Sequence, residues 1–350
     1  MRAIVMEEFG QPGVLQLREI APPEPGPGEA LVRVRATFVA LGRDVVVRSG
    51  GHPVFRKLVK LPHVLGGEHA GIVDAVGPGV SDDLVGARVA VSSIVYCGVC
   101  ASCEASEPWD CAAVAAIGIQ RPGSYAELTC VPVGNLRLLP DSVDFAQAAI
   151  FAANGPLASA QLAAGDVSAG TWVLVPGASG SLGTLLVALA ARRGARVIAT
   201  TRERRGAAAL EELGAEVVLD TNDPELAGTL LKLTGRGVDV VVDNVALGTL
   251  WERYWPAVAR RARVVFAGRA ANSFEPLPVN IVELYMRWVT LTGVNMSDPR
   301  YIAPFWEQMR AAPIALPADL IATFPFESAA AVHAQIEQGR KLGHFVLTID

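Results

Sequence analysis

Charged residues are scarce in this chain: 19% of its 350 residues, against 51% that are hydrophobic. That balance excludes an intrinsically disordered chain, which combines low hydrophobicity with high charge. Positive charge is in slight deficit, with 30 Lys and Arg against 35 Asp and Glu. A net charge of −5 argues against a general nucleic-acid surface or attachment to acidic membranes. No apolar run approaches the ~20 residues that span a bilayer. The opening Met1-Arg-Ala-Ile-Val-Met6 leads straight into acidic residues and lacks an extended apolar signal region. No repeat of solenoid length is present. The expectation is a cytoplasmic protein that acts on a small molecule, with no nucleic-acid or membrane partner.

Cysteine is nearly absent outside one cluster, Cys97-x2-Cys100-x2-Cys103-x7-Cys111. In a reducing compartment that spacing reads as a zinc site rather than disulfides. Four thiolates make a closed, tetrahedral, structural site with no open position for substrate. The fifth, Cys130, lies in a strand-like run and reads as a small buried hydrophobe.

The strongest feature present is Gly177-Ala178-Ser179-Gly180-Ser181-Leu182-Gly183. It follows the apolar run Trp172–Val175 and opens the helix-like run Leu185–Ala191. In a strand–turn–helix unit, such glycines let backbone amides approach a pyrophosphate at the helix N-terminus. A carboxylate about 20 residues later, at the end of the next strand, marks an NAD site. Here that strand, Arg196–Thr200, is followed by Thr201-Arg202-Glu203-Arg204-Arg205. A hydroxyl and nearby guanidinium groups suit a 2′-phosphate, so Thr201, Arg202 and Arg205 are expected to select NADP(H). A solvated basic helix start, or Glu203 as a displaced ribose ligand, is the alternative.

Length and patterning suggest two domains. The first half carries short β-type segments, Ala3–Met6, Glu29–Val34, Gly71–Val76 and Arg88–Val91, between Pro/Gly turns. It reads as a mostly β, partly barrel-like domain over 1–150, completed by about 316–350. The character changes after Asn154-Gly-Pro156. Over 151–315, strands near 172–176, 196–200, 216–219, 238–242, 262–267 and 287–293 alternate with helical stretches. That is an α/β, doubly wound parallel sheet. The tail adds a helical pattern over Glu327–Ile336 and a strand over Phe345–Ile349.

Together these residues resemble the medium-chain dehydrogenase/reductases over essentially the whole length. Pro23-Glu-Pro-Gly-Pro-Gly-Glu29 is similar to that family's opening. Leu65-Gly-Gly-Glu68-His-Ala-Gly71 with Val76-Gly-Pro-Gly-Val80 resembles its glycine-rich active-site segment. The cysteine tetrad resembles its structural-zinc lobe, and the glycine turn its quinone-reductase-like branch. The resemblance implies a GroES-like catalytic domain, a Rossmann domain, one structural zinc and a homodimer, or a tetramer, of an oxidoreductase. It also implies ligands for a catalytic zinc, but the matching positions are Leu41, Gly67 and about Asn154. An improvised Asp44/Glu68/His69 site is disfavoured, because adjacent strand residues point to opposite faces.

Without a Lewis acid, hydride transfer favours an already activated acceptor. The resemblance therefore implies an NADPH-dependent reductase of an enone or quinone. The alternatives are a zinc-free alcohol or carbonyl oxidoreductase, and an NADPH-binding sensor or structural protein without turnover. By position, Arg43 is a candidate oxyanion donor oriented by Asp44; a surface Arg and a capping Asp are the plainer alternative. Ser93, Glu68 and Asn154 are candidate pocket residues. His344, in the last strand, is a candidate phosphate contact or a solvated histidine. His52 and His63 have no visible partner.

Overall fold

The computed structural model describes residues 1–202, 206–269, 275–295, 298–339 and 343–350. Short segments between Pro/Gly turns form ten strands in the first half. They are β1 (Arg2–Met6), β2 (Gln16–Glu19), β3 (Glu29–Phe38), β4 (His63–Val64), β5 (His69–Val76), β6 (Arg88–Val91), β7 (Ile94–Val95), β8 (Ala115–Ala116), β9 (Leu128–Pro132) and β10 (Leu136–Leu138). In β3, Val32, Val34 and Ala36 are buried while Arg33 points out, the two-residue period of a strand with one covered face. β3 pairs antiparallel with both β5 and β9, and β5 continues to β6 and β10. β1 sits between β2 and β4 in a separate three-stranded sheet.

The second half alternates strands β11 (Trp172–Val175), β12 (Arg196–Thr201), β13 (Ala215–Asp220), β14 (Val238–Val242), β15 (Val258–Phe266) and β16 (Thr290–Gly293) with helices. All pair in parallel, in the order β13-β12-β11-β14-β15-β16. This is a doubly wound sheet, whose ligands bind at the carboxyl ends of the strands. Its core gathers Leu174, Ile198, Val241, Trp251, Tyr254 and Val264.

The tail contributes β17 (Ile321–Pro325) and β18 (His344–Thr348), with the helix Ala329–Glu337 between them. β18 pairs with β3, completing the first sheet.

Two compact units result. One is Met1–Ala153 with Ile302–Ala315 and Ile321–Asp350; the other is Asn154–Tyr301 with Leu316–Leu320. One boundary needs correction. Residues 302–315 belong to the first unit, because the helix Ile302–Ala311 buries Phe305, Trp306 and Met309 and sets Phe305 6.1 Å from Phe151. Asn154-Gly-Pro156 lies within the 20-residue helix Phe145–Ala164. The surrounding run of Ala, Leu and Gln outweighs the local penalty of Gly and Pro.

Candidate active site

In the first unit, β3 ends at Phe38 and the chain turns through Leu41–Val45, a wide helical turn, into the short helix Val46–Ser49. Asp44 explains the turn. Its Oδ2 accepts the backbone N–H of Ala40 at 2.8 Å, satisfying a donor exposed where the strand stops. Its Oδ1 accepts Arg43 Nε at 2.9 Å. Arg43 Nη1 donates to Glu68 Oε2 and, at 3.3 Å, to Ser93 Oγ. Ser93 in turn donates to Glu68 Oε1. Arg43, Asp44, Glu68 and Ser93 thus form one cluster, all of them buried. The plainer reading of Arg43 as a surface residue is corrected, since its side chain is buried, whereas Asp44 does cap the turn through Ala40 N–H.

Burial pushes the Glu68 carboxyl up, but Arg43 and the Ser93 hydroxyl more than offset this, and Glu68 is held below the usual carboxylate range. Asp44 goes the other way: burial outweighs Arg43, and its pKa is raised. Burial disfavours the charged guanidinium, yet the two carboxylates raise its pKa overall, so Arg43 stays cationic. The site is a fixed buried cation with Glu68 as its firmer counter-ion.

A Cβ built on Gly67 would overlap the Arg43 guanidinium, lying 2.7 Å from Nη2 and closer to Nη1 and Cζ. The guanidinium therefore fills the space that a ligating side chain at 67 would need. Leu41 offers no ligand atom, and Asn154, buried in its helix, offers an amide whose Nδ2 has no partner among the described residues. His69 binds the Gly67 carbonyl through Nδ1, and burial lowers its pKa to about 4. Among the described residues, the cysteines are the one group suited to a metal. A catalytic zinc, with three protein ligands and an open position, does not fit.

The cysteines do fit a structural zinc. Cys97, Cys100, Cys103 and Cys111 bring their sulfurs within 4.8 Å of one another. Cys111 and Cys97 Sγ are 3.5 Å apart, and Cys97 and Cys103 Sγ 4.0 Å. Tetrahedral Zn–S bonds of ~2.3 Å require S···S separations of about 3.8 Å. Cys130 is half-buried in β9, its thiol pushed up to about 11 by burial.

In the second unit, Gly177 (φ 65°) turns the chain after β11, and Gly180 caps the helix Ser181–Arg192. A Cβ on Gly183 would lie 2.7 Å from Ala178 Cα, so only glycine lets this helix approach the turn. Ala178 N–H bonds the Thr200 carbonyl at 2.8 Å, and Thr201 Oγ1 donates to Ser179 Oγ at 2.9 Å. The turn is thereby tied to the end of β12. Arg202 is exposed beside it; Glu203, Arg204 and Arg205 lie outside the described residues.

Three histidines depart from expectation. His344 is fully buried 6.1 Å from the Phe38 ring, with its pKa lowered to about 3 by burial. It is a neutral interior side chain, not a cation for phosphate. His52 caps the helix Pro53–Leu58, and His63 is buried in β4. What sequence reasoning missed is the meeting of Tyr125 with His333, both buried, whose side chains lie 3.0 Å apart beside Asp44. No local signal announced it, because 208 residues separate the pair.

Residues 26–141 match the alcohol dehydrogenase GroES-like domain, and residues 181–311 the zinc-binding dehydrogenase family. The chain is 31% identical over 280 residues to an L-threonine 3-dehydrogenase of Sinorhizobium medicae, covering 79% of this chain and 78% of that one. A solved structure described as an NAD-dependent alcohol dehydrogenase superposes with a TM-score of 0.91 at 32% identity, covering all of both chains. A mycobacterial quinone oxidoreductase superposes at 0.76 with 28% identity, again over both whole chains. The chain belongs to the medium-chain dehydrogenase/reductase family, as an oxidoreductase of the zinc-binding alcohol dehydrogenase type.

Proposed function

We propose that this oxidoreductase uses NADPH to reduce an activated C=C bond or a quinone without a catalytic zinc. The observation that carries the reading is the Arg43 guanidinium, fixed by Glu68 and Asp44 in the space a ligand at position 67 would take. An enone or quinone that accepts hydride develops negative charge on oxygen, which a preorganised donor stabilises. Arg43 is that donor, Asp44 and Glu68 orient it, and Ser93 lines the pocket with a small polar side chain. The nicotinamide cofactor, when bound, supplies the hydride. The turn Gly177–Gly183 holds its pyrophosphate, while Thr201 and Arg202 take the 2′-phosphate in place of the acid that an NAD site carries. One zinc on the cysteine tetrad stabilises the first unit and takes no part in the reaction.

The test is a panel of enones, quinones, aldehydes and alcohols followed by NADPH absorbance. Enone or quinone turnover that survives a mild chelator is expected. Arg43→Ala should lower kcat ~100-fold or more, the scale of losing one oxyanion donor. Turnover of simple alcohols or aldehydes alone would favour the zinc-free alcohol oxidoreductase, the direction in which the threonine and alcohol dehydrogenase relatives point. Firm NADPH binding with no turnover would favour a sensor.

The assembly is a homodimer in this reading. Ile281, Val282, Tyr285, Met286 and Trp288 are exposed beside β16, an edge of the parallel sheet. Trp288→Glu should shift the light-scattering mass to that of one chain; an unchanged mass counts against this face. No helix among the described residues is long and apolar enough to cross a membrane. Thiolate ligands suit the reducing cytoplasm.

A further inference from the structure

Tyr125 and His333 form a buried polar pair beside Asp44. Tyr125 OH lies 3.4 Å from Asp44 Oδ2 and 3.0 Å from His333 Nε2. The two rings meet edge-on, 5.9 Å apart at 86°, and both side chains are fully buried. His333 comes from the helix Ala329–Glu337.

The hydroxyl has one proton to donate. If it goes to His333, the imidazole carries its own proton on Nδ1, which has no partner among the described residues. That arrangement leaves a buried N–H unpaired and takes a donor from Asp44. If it goes to Asp44, His333 donates Nε2–H to the Tyr125 oxygen, and only a bare lone pair is left unmatched. An unpaired buried donor costs the full desolvation penalty, so the second arrangement wins. The chain then runs in one direction, from His333 through Tyr125 to Asp44, each donation polarising the next.

The packing supports one assembly. Gly66 (φ 93°) has no room for a side chain, since a Cβ would lie 2.5 Å from Tyr125 Cδ1 and 2.7 Å from Ser124 Oγ. At Gly67 a Cβ would meet Arg43. Consecutive glycines thus make room for Tyr125 and for Arg43, two members of the His333–Tyr125–Asp44–Arg43 chain. The remaining charged groups are Glu68 beside Arg43, and Arg48, which is buried near Tyr125 and His333 and paired with Glu337. Burial, with a smaller contribution from Arg48, lowers the His333 pKa to about 3, so the imidazole stays neutral.

We propose that Tyr125 and His333 are positioning residues that hold the Asp44 carboxylate to the Arg43 guanidinium. This rests on the reading that Arg43 is the electrophile, but the link itself can be measured without turnover. In 15N-arginine-labelled protein, with the signal assigned by Arg43→Lys, the chemical shift of Arg43 Nε–H reports its bond to the ionised Asp44 carboxylate. The change of that shift on acidification gives a midpoint. Tyr125→Phe and His333→Leu should move that midpoint up by about one pH unit, a tenfold change in the Asp44 proton affinity. His333→Gln, whose amide N–H replaces Nε2–H, should restore it. kcat should fall in step with the midpoint while the KM for NADPH holds. Unchanged midpoints in Tyr125→Phe and His333→Leu that still bind zinc would overturn the proposal, as would a kcat loss with no midpoint shift. If Tyr125→Phe does not fold, the two His333 variants decide the matter. A midpoint shift in a chain that reduces no enone or quinone would uphold the positioning role and refute the functional reading.

Discussion

Replacing Gly67 by Ala should destabilise the first unit strongly, although the change adds one methyl group. The new Cβ would occupy the position of the Arg43 guanidinium. Arg43 must then withdraw from Glu68, which is 1% exposed and would be left a buried, unpaired carboxylate. Breaking a buried pair from one side costs about 3–5 kcal/mol. Retention of the Arg43–Asp44 bond reduces this to roughly 2–3 kcal/mol. For a unit of this size each kcal/mol moves Tm by about 2–4 °C, so a fall of roughly 4–12 °C is expected. Arg43→Ala alone strands both carboxylates and should cost about 3–5 kcal/mol. In the double variant the methyl added at position 67 enters space already vacated, and its loss should match that of Arg43→Ala alone. The coupling between the sites is therefore about 2–3 kcal/mol. Thermal and urea unfolding at pH 7, with zinc present, measure all four corners of the cycle. A Gly67→Ala protein within ~0.5 kcal/mol of the parent, or losses that simply add, would refute the claim that the guanidinium fills this space.

Three further outcomes follow from the same structure. Metal analysis should give one zinc per chain, lost on Cys100→Ser; two per chain would revive a catalytic metal. NADPH should bind more tightly than NADH, and Arg202→Ala should weaken NADPH about tenfold or more while sparing NADH, because only NADPH carries the 2′-phosphate; equal parent affinities contradict this. Burial lowers the pKa of His69 to about 4 and of His333 and His344 to about 3, so these side chains bind protons in the unfolded chain well before the folded one. Stability should fall as pH drops below the unfolded value of ~6.5, by up to about 2 kcal/mol per histidine between pH 7 and 5. His69→Asn should flatten that slope, and a Tm that rises toward pH 5 would refute it.

The sequence by itself determined the features that depend on local spacing. The tetrad Cys97–Cys111 and the turn Gly177–Gly183 are short motifs whose chemistry follows from ligand count and backbone freedom. The six parallel strands are legible because each is a short apolar run between helical stretches, although β15 begins at Val258 and β16 at Thr290 rather than where the pattern suggested. The absence of ligating side chains at Leu41 and Gly67 can also be read directly. Only the tertiary structure decided what takes their place. Arg43 looks like a surface arginine until β5 brings Glu68, and the segment after β6 brings Ser93, within hydrogen-bond reach. His344 looks like an accessible cation until β18 pairs with β3 beside Phe38. The Tyr125–His333 contact spans 208 residues and has no local periodicity behind it. A buried charge is tolerable only when partners from distant segments arrive together, and sequence distance carries no record of that arrival.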